Sequence, residues 1–337
     1  MSSQREPGLA GAGASAARTD GTSPRQAITG DRATTPARLV AIGGGKGGIG
    51  KSAIATTLAV EMARRGLRTT LVDCDFGGPN LHSLLAMSQP RASLSDYLAR
   101  RVGSLAELAL TTPVPGLSLI AGPGGAGQES TLLHQQRTRL IRALSTLEAD
   151  VIVLDLGAGA HYNVVDFFLL ATHGILVVTP EPTSVENAYR FLKVAFLRRV
   201  KSSGLAEEFR NAALGGADGS GALPRTPAAL VAEIARLAPA TGEALSRLLA
   251  SFRPELVVNQ VRSAQDLALG EAMSQVSSRL FGLKLQLLGH AHHCELLARA
   301  IRSRLPVVPE NLGREFTADI AGLASRLLAR QQVERRP

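Results

Sequence analysis

Three segments of this 337-residue chain carry residue types and spacings suited to phosphate chemistry. The first is GGGKGGIGKS, residues 43–52. Gly45, four residues, then Gly50, Lys51 and Ser52 make a Walker A pattern. Glycine turns let backbone N–H groups converge on polyphosphate, and the helix that follows adds its positive end. Lys51 is expected to bridge the terminal phosphates and Ser52 to ligate Mg²⁺. The expected nucleotide contacts are Gly45, Lys46, Gly47, Gly48, Ile49, Gly50, Lys51, Ser52 and Ala53. Only five of the 37 basic residues are lysines, and two of those five stand in this loop. A cation at Lys46 repels Lys51 unless phosphate neutralises both. Lys46 therefore points to the bound nucleotide or to the phosphates of a facing subunit.

The other two segments supply carboxylates, which phosphoryl transfer needs for metal and water. LVDCDFGGPNLH places Asp73 and Asp75 two residues apart at a strand end, on one face of an extended chain. At the carboxyl edge of an open α/β sheet they lie beside the phosphate loop. VIVLDLGAG ends an apolar strand on Asp155, a Walker B pattern. Ser52, Asp73 and Asp155 are the expected metal residues. Gly157 and Gly159 allow the loop after Asp155 to follow a γ-phosphate.

The elements that position these residues follow from apolar patterning. Short apolar runs at 38–44, 67–75, 117–122, 149–157, 174–180, 255–261 and 283–289 predict strands. Helical spacing predicts helices over 53–66, 132–147, 184–200 and the last segment from Phe316, with shorter ones between. Alternation of the two predicts an α/β fold: a mainly parallel, doubly wound sheet with helices on both faces. Residues 1–37, rich in Gly, Ala, Ser, Thr and Pro, predict a disordered arm. One domain is expected over 38–330, with a helical insertion at 203–250 containing a loop at 215–227, and a basic tail at 331–337.

The spacing KGGIGKS resembles the deviant Walker A loop of the MinD/ParA ATPases, and the resemblance spans about 38–330. It implies ATP and Mg²⁺ as cofactors and an ATP-sandwiched homodimer, with Lys46 crossing to the partner. VDCDFGGPNLH resembles the family's second box, which implies that Asp75 orients the attacking water and that Asp73 occupies the switch position. With Lys51, Lys46 and Asp75 are the implied catalytic residues. DLGAG and TPEPTSVENAYRFLK are similar to the FlhG/FleN branch, the regulators of flagellar number. The resemblance carries Asn259 of VVNQVR to an adenine-contacting position and Pro309 to the vicinity of the base. The arm motif of that branch, D-Q-A-x-x-L-R, does not occur in residues 1–37.

The expected function is an ATP-dependent, dimerising ATPase that regulates position or number at a cell pole, flagellum or division site. Slow, partner-stimulated hydrolysis would reset it. A protein activator or cargo is implied. Peripheral anionic membrane and non-specific DNA are the alternative docking surfaces. Net charge of +9 favours DNA, as for a segregation ATPase. The last helix, with Phe316, Ile320, Leu323, Leu327 and Leu328 at helical spacing and Arg330 near its end, suits either a membrane-surface helix or one that closes the domain. A metabolic enzyme or iron–sulfur carrier on the same fold would be a third reading, but the chain has only Cys74 and Cys294 and no C-x-x-C. A fourth is an adaptor that binds ATP without hydrolysis, which the retained Asp73 and Asp75 argue against. No apolar leader or spanning run occurs, so a cytoplasmic protein is expected, docking at most on the inner face of the cell membrane. Aromatics are 4% with no Trp, which disfavours a base-stacking binder of single strands. HAHHC (290–294) is expected to be a loop whose successive residues diverge, and Cys74 a buried structural thiol.

Overall fold

The computed structural model describes residues 37–123, 132–205, 207 and 226–334. Its strands are β1 (Arg38–Gly43), β2 (Thr69–Cys74), β3 (Leu110–Thr111), β4 (Leu117–Ile120), β5 (Val151–Leu156), β6 (His173–Val178), β7 (Glu255–Val261) and β8 (Gln286–His292). They form one sheet in the order β3-β4-β2-β5-β1-β6-β7-β8. All pairs are parallel except β3 with β4. Successive residues of a strand feed opposite cores. Val151 and Val153 of β5 join one buried cluster, Ile152 and Leu154 the other. Both faces are therefore covered, which is why these strands are apolar throughout rather than alternating.

The helices are α1 (Lys51–Arg64), α2 (Leu81–Leu84), α3 (Leu94–Leu98), α4 (His134–Leu144), α5 (Tyr162–Leu170), α6 (Pro182–Ser202), α7 (Pro227–Leu237), α8 (Pro239–Ala250), α9 (Ala264–Val276), α10 (Glu295–Arg302) and α11 (Arg314–Glu334). On one face α1 lies between the sheet and α11, so it buries residues nearly all round. On the other, Phe167 and Phe168 of α5 pack with Phe191 and Phe196 of α6. The α/β architecture expected from the sequence is the one found.

Some elements differ from the expectation. α5 has no polar stripe to mark a period, because five of its nine residues are buried. β3 is two residues long, too short to carry a pattern. α9 is almost wholly surface, with only Gly270 and Met273 buried. β8 begins and ends three residues later than expected and takes in His290 and His292, because its register is set by pairing with β7. The two helices of the 203–250 segment do not stand apart. Leu230, Ile234, Leu245 and Leu249 belong to the same buried cluster as α6. All of the expected arm at 1–37 but Ala37, and most of the expected loop at 215–227, lie outside the described residues.

The last helix resolves the two options left open for it. Phe316, Ile320, Leu323 and Leu327 are at most 3% exposed, packed against α1 and β8. Arg330 pairs with buried Glu255 at 2.6 Å and donates to Gln286 Oε1 at 2.9 Å. The apolar stripe closes the domain and is not available to a membrane surface. Leu327→Ala is expected to destabilise the fold by about 2–5 kcal/mol, read from chemical unfolding. A loss under about 0.5 kcal/mol would mean the stripe is not core. No helix among the described residues is long and apolar enough to cross a membrane.

Candidate functional site

The phosphate loop runs from β1 into α1, at the carboxyl edge of the sheet's centre. Gly50 caps α1 with φ of 86°, a left-handed conformation that favours glycine. A Cβ there would also stand 2.3 Å from Asn259 Nδ2. That amide donates to Ile49 O at 2.8 Å, so β7 braces the loop from the side. Gly45 is pressed as closely on α6, where a Cβ would meet Asn187 O at 2.3 Å. On the other side Gly159 N donates to Gly44 O at 3.3 Å, tying the DLGAG loop to the phosphate loop. The backbone is therefore held by three neighbours before any ligand arrives.

Lys51 is buried, and its Nζ donates to Lys46 O at 3.3 Å. Burial lowers its pKa, against the pull of Asp155 and Asp75. Asp73 and Asp155 face each other in register on β2 and β5. Asp155 is 1% exposed and is hydrogen-bonded by Ser52, yet its Oδ1 has no hydrogen-bond partner among the described residues. Burial, then the neighbouring Asp73, pushes its pKa up to about 8. Asp73 rises to about 6, chiefly by burial. Cys74, between the two aspartates, is fully buried and its thiol is pushed well up by burial, as a structural role requires.

The raised values fix a sign. Between the ordinary carboxylate value of 3.8 and about 8, Asp73 and Asp155 bind more protons in the folded chain than in the unfolded one. Their contribution to the stability of the nucleotide-free protein is therefore greatest at the acid end of that window and falls as pH rises through it. Thermal melting from about pH 5 to about pH 9 checks this, and Asp155→Asn should flatten the slope. An unchanged slope in that variant would show that Asp155 is not the group responsible.

Three of the expected site residues, Asp73, Asn259 and Pro309, have structural contacts of their own. Asp73 Oδ1 accepts from Asp75 N, and its Oδ2 from the Asn80 and Leu81 backbone N–H groups, at 2.9–3.1 Å. It thus organises the loop carrying Asp75. Asn259 spends its amide on the loop carbonyl. Pro309 opens a single 3₁₀ turn whose Glu310 pairs with Arg64 in the last turn of α1. That ion pair ties the turn to the last turn of α1.

Asp75 is half-buried at the end of β2 and accepts from Gly77 N at 3.0 Å. A Cβ on Gly157 would stand 3.0 Å from its Oδ1, so a bare glycine is what lets Asp75 sit against the DLGAG loop. Lys46 pairs with Glu181 and donates to Thr183 Oγ1 at 3.0 Å, both from the TPEPTS segment at the start of α6. Nothing in the spacing of Glu181 marks it as a partner for Lys46, 135 positions away. Arg198 of α6 and Arg137 of α4 both grip Asp166 of α5.

The ParA family model, described as NUBPL iron-transfer P-loop NTPase, matches residues 36–215. The chain belongs to the ParA family of P-loop NTPases. Within that family it is 35% identical to antiactivator FleN of Pseudomonas aeruginosa over 161 residues, 47% of this chain and 56% of that protein. It is 30% identical to flagellum site-determining protein YlxH of Helicobacter pylori, over 47% of this chain and 53% of the other. The chain thus spans little more than half the length of these curated relatives. Among solved structures, septum site-determining protein MinD of Pyrococcus horikoshii, complexed with Mg-ADP, superposes with a TM-score of 0.61 at 18% identity. That match covers 89% of this chain and all of the MinD chain, so the ParA-family fold extends over both halves of the sheet.

Proposed function

We propose that this ParA-family chain is a nucleotide-switched positioning ATPase. ATP closes a homodimer, the dimer docks on its surface or partner, and slow hydrolysis resets it. The observation that carries this reading is the unpartnered, buried Asp155 Oδ1 beside Ser52 and Lys51, at the mouth of a preformed phosphate loop. A buried carboxylate oxygen without a donor is costly unless a cation or its water completes it. Ser52 and Asp155 would hold Mg²⁺ there, and the ion supplies charge neutralisation between the phosphates.

Each remaining role falls to a residue of the chain. The loop's backbone N–H groups orient the phosphates, and Lys51 screens their charge. Asp75, carried on the loop that Asp73 organises, orients the attacking water. Lys46 is held by Glu181 in the single chain. Exchanging Glu181 for phosphate frees it to cross to a partner, so nucleotide and dimerisation are coupled. Lys46→Ala is expected to keep ATP binding within several-fold and to lose the ATP-dependent dimer. Light scattering with ATP reads this, and an unchanged dimer would overturn the crossing role. The likeness to FleN and YlxH supports a flagellar or polar apparatus as the thing regulated, with a protein activator or cargo.

The docking surface is tested by sedimenting Asp75→Ala with ATP and Mg²⁺ against anionic liposomes and random duplex DNA. A protein scaffold is the surface favoured here, because the apolar stripe of α11 is spent in the core. Binding to neither bears this out. Binding to DNA, weakening steeply with salt, would make the net charge of +9 the operative feature instead. Binding to liposomes would call for a membrane contact outside that stripe. Iron transfer, which the family model's description names, finds no paired thiolates within one chain. Cys74 is buried on β2 and Cys294 follows the edge strand β8.

A further inference from the structure

The HAHHC segment does not behave as the diverging loop its sequence suggests. β8 continues through His292, and both His290 and His292 turn to Asp319 of α11. His290 Nε2 lies 3.5 Å from Asp319 Oδ1, and His292 Nδ1 lies 2.8 Å from Asp319 Oδ2. One nitrogen from each ring and one carboxylate oxygen all lie within 4.8 Å of one another. Glu315, one turn earlier on α11, brings Oε1 to 3.4 Å from His292 Nε2. The His292 backbone N–H also donates to Asp319 Oδ2 at 2.8 Å, which holds the carboxylate against the strand.

We propose that His290, His292 and Asp319 form a binding site for a divalent transition-metal ion, Zn²⁺ fitting best, which staples the edge strand β8 to α11. Donors about 2.0–2.1 Å from a tetrahedral ion stand about 3.3 Å apart, and one donor atom from each of the three residues already lies within 4.8 Å of the others. Two imidazoles with a carboxylate suit Zn²⁺, Co²⁺ or Ni²⁺ rather than Mg²⁺ or Ca²⁺, which prefer oxygen alone. Asp319 and the adjoining Glu315 provide negative charge for a dication. Asp319 is 13% exposed and His290 38%, so the site is anchored on one side and open to an entering ion on the other. Two guanidiniums of α11 approach this strand, and both are engaged elsewhere on it: Arg326 at Leu288 O, and Arg330 at Gln286 Oε1 and Leu287 O. The site is separate from the nucleotide carboxylates, which sit on β2 and β5 at the centre of the sheet.

The test uses the full chain without a purification tag, stripped of metal, nucleotide-free, and in millimolar Mg²⁺ to occupy the oxygen sites. Calorimetric titration with Zn²⁺ is expected to give one ion per chain. His290→Gln and Asp319→Asn should each weaken binding by more than the roughly 10–100-fold that an outer-sphere partner contributes. Asp319→Asn keeps a side-chain oxygen for the His292 backbone N–H, so it isolates the ligand role from the fold. Co²⁺ should give the visible ligand-field bands of a four-coordinate site in the parent and not in either variant. Zn²⁺ should raise the melting temperature of the parent alone. Absence of binding up to millimolar Zn²⁺, or binding that both variants leave unchanged, would overturn the proposal and leave the cluster as a His–Asp hydrogen-bonded latch.

Discussion

Lys51→Ala is expected to lose nucleotide binding by at least about 100-fold, roughly 3 kcal/mol, in direct calorimetric titration. Two effects add. The charge-assisted contact with phosphate disappears, which alone is worth about 1.5–3 kcal/mol. The buried Asp155 and the half-buried Asp75 then face the phosphates without the cation that now stands among them. Like charges in a site of low dielectric repel strongly. The fold should survive, because Lys51 contributes a single 3.3 Å hydrogen bond to the loop and the loop is braced independently by Asn259. A variant that melts like the parent yet binds ATP unchanged would refute the phosphate-loop assignment.

Asp75→Ala should separate binding from turnover. The residue is not part of the phosphate cradle, and its carboxylate accepts from Gly77 N in its own turn. ATP affinity is expected to stay within several-fold, while hydrolysis falls by about 10²–10⁴, the range for a residue that positions or activates a nucleophile. With the reset step blocked, the ATP-bound dimer should accumulate and sediment as a dimer. A monomeric variant with full turnover would remove Asp75 from the mechanism. Asp73→Asn makes a useful contrast. The two Asp73 oxygens accept three backbone N–H groups, so an amide there replaces an acceptor by a donor and misplaces the Asp75 loop. Its loss of turnover should come with loss of stability, whereas that of Asp75→Ala should not.

The chemistry of the centre was legible in the one-dimensional pattern because each part of it is local. Gly44 to Gly50 form the loop between β1 and α1, Lys51 and Ser52 open α1, and the backbone conformation required at Gly50 is written in its residue type. Asp73 and Asp75 share a strand end, and Asp155 ends the strand that pairs with it. The parallel sheet followed for the same reason: strands buried on both faces are apolar throughout, and helices of the right length lie between them.

What the chain could not reveal along its length depends on residues far apart in sequence. Asn259 looks like a free amide until β7 brings it to Ile49, 210 positions away. Lys46 looks unpaired until α6 presents Glu181. The stripe of the last helix suits a bilayer and a protein core equally, since both accept the same apolar face. Only the packing of Leu323 and Leu327 against α1 and β8 decides between them. His290 and His292 read as a loop because the extent of an edge strand is set by its neighbour and not by its own residues. Local residue order thus determined the phosphate loop, its carboxylates and the α/β class, through turns, periods and strand ends. Tertiary structure decided which polar groups are spent on one another and which remain for a ligand, because burial and pairing are properties of the assembled sheet.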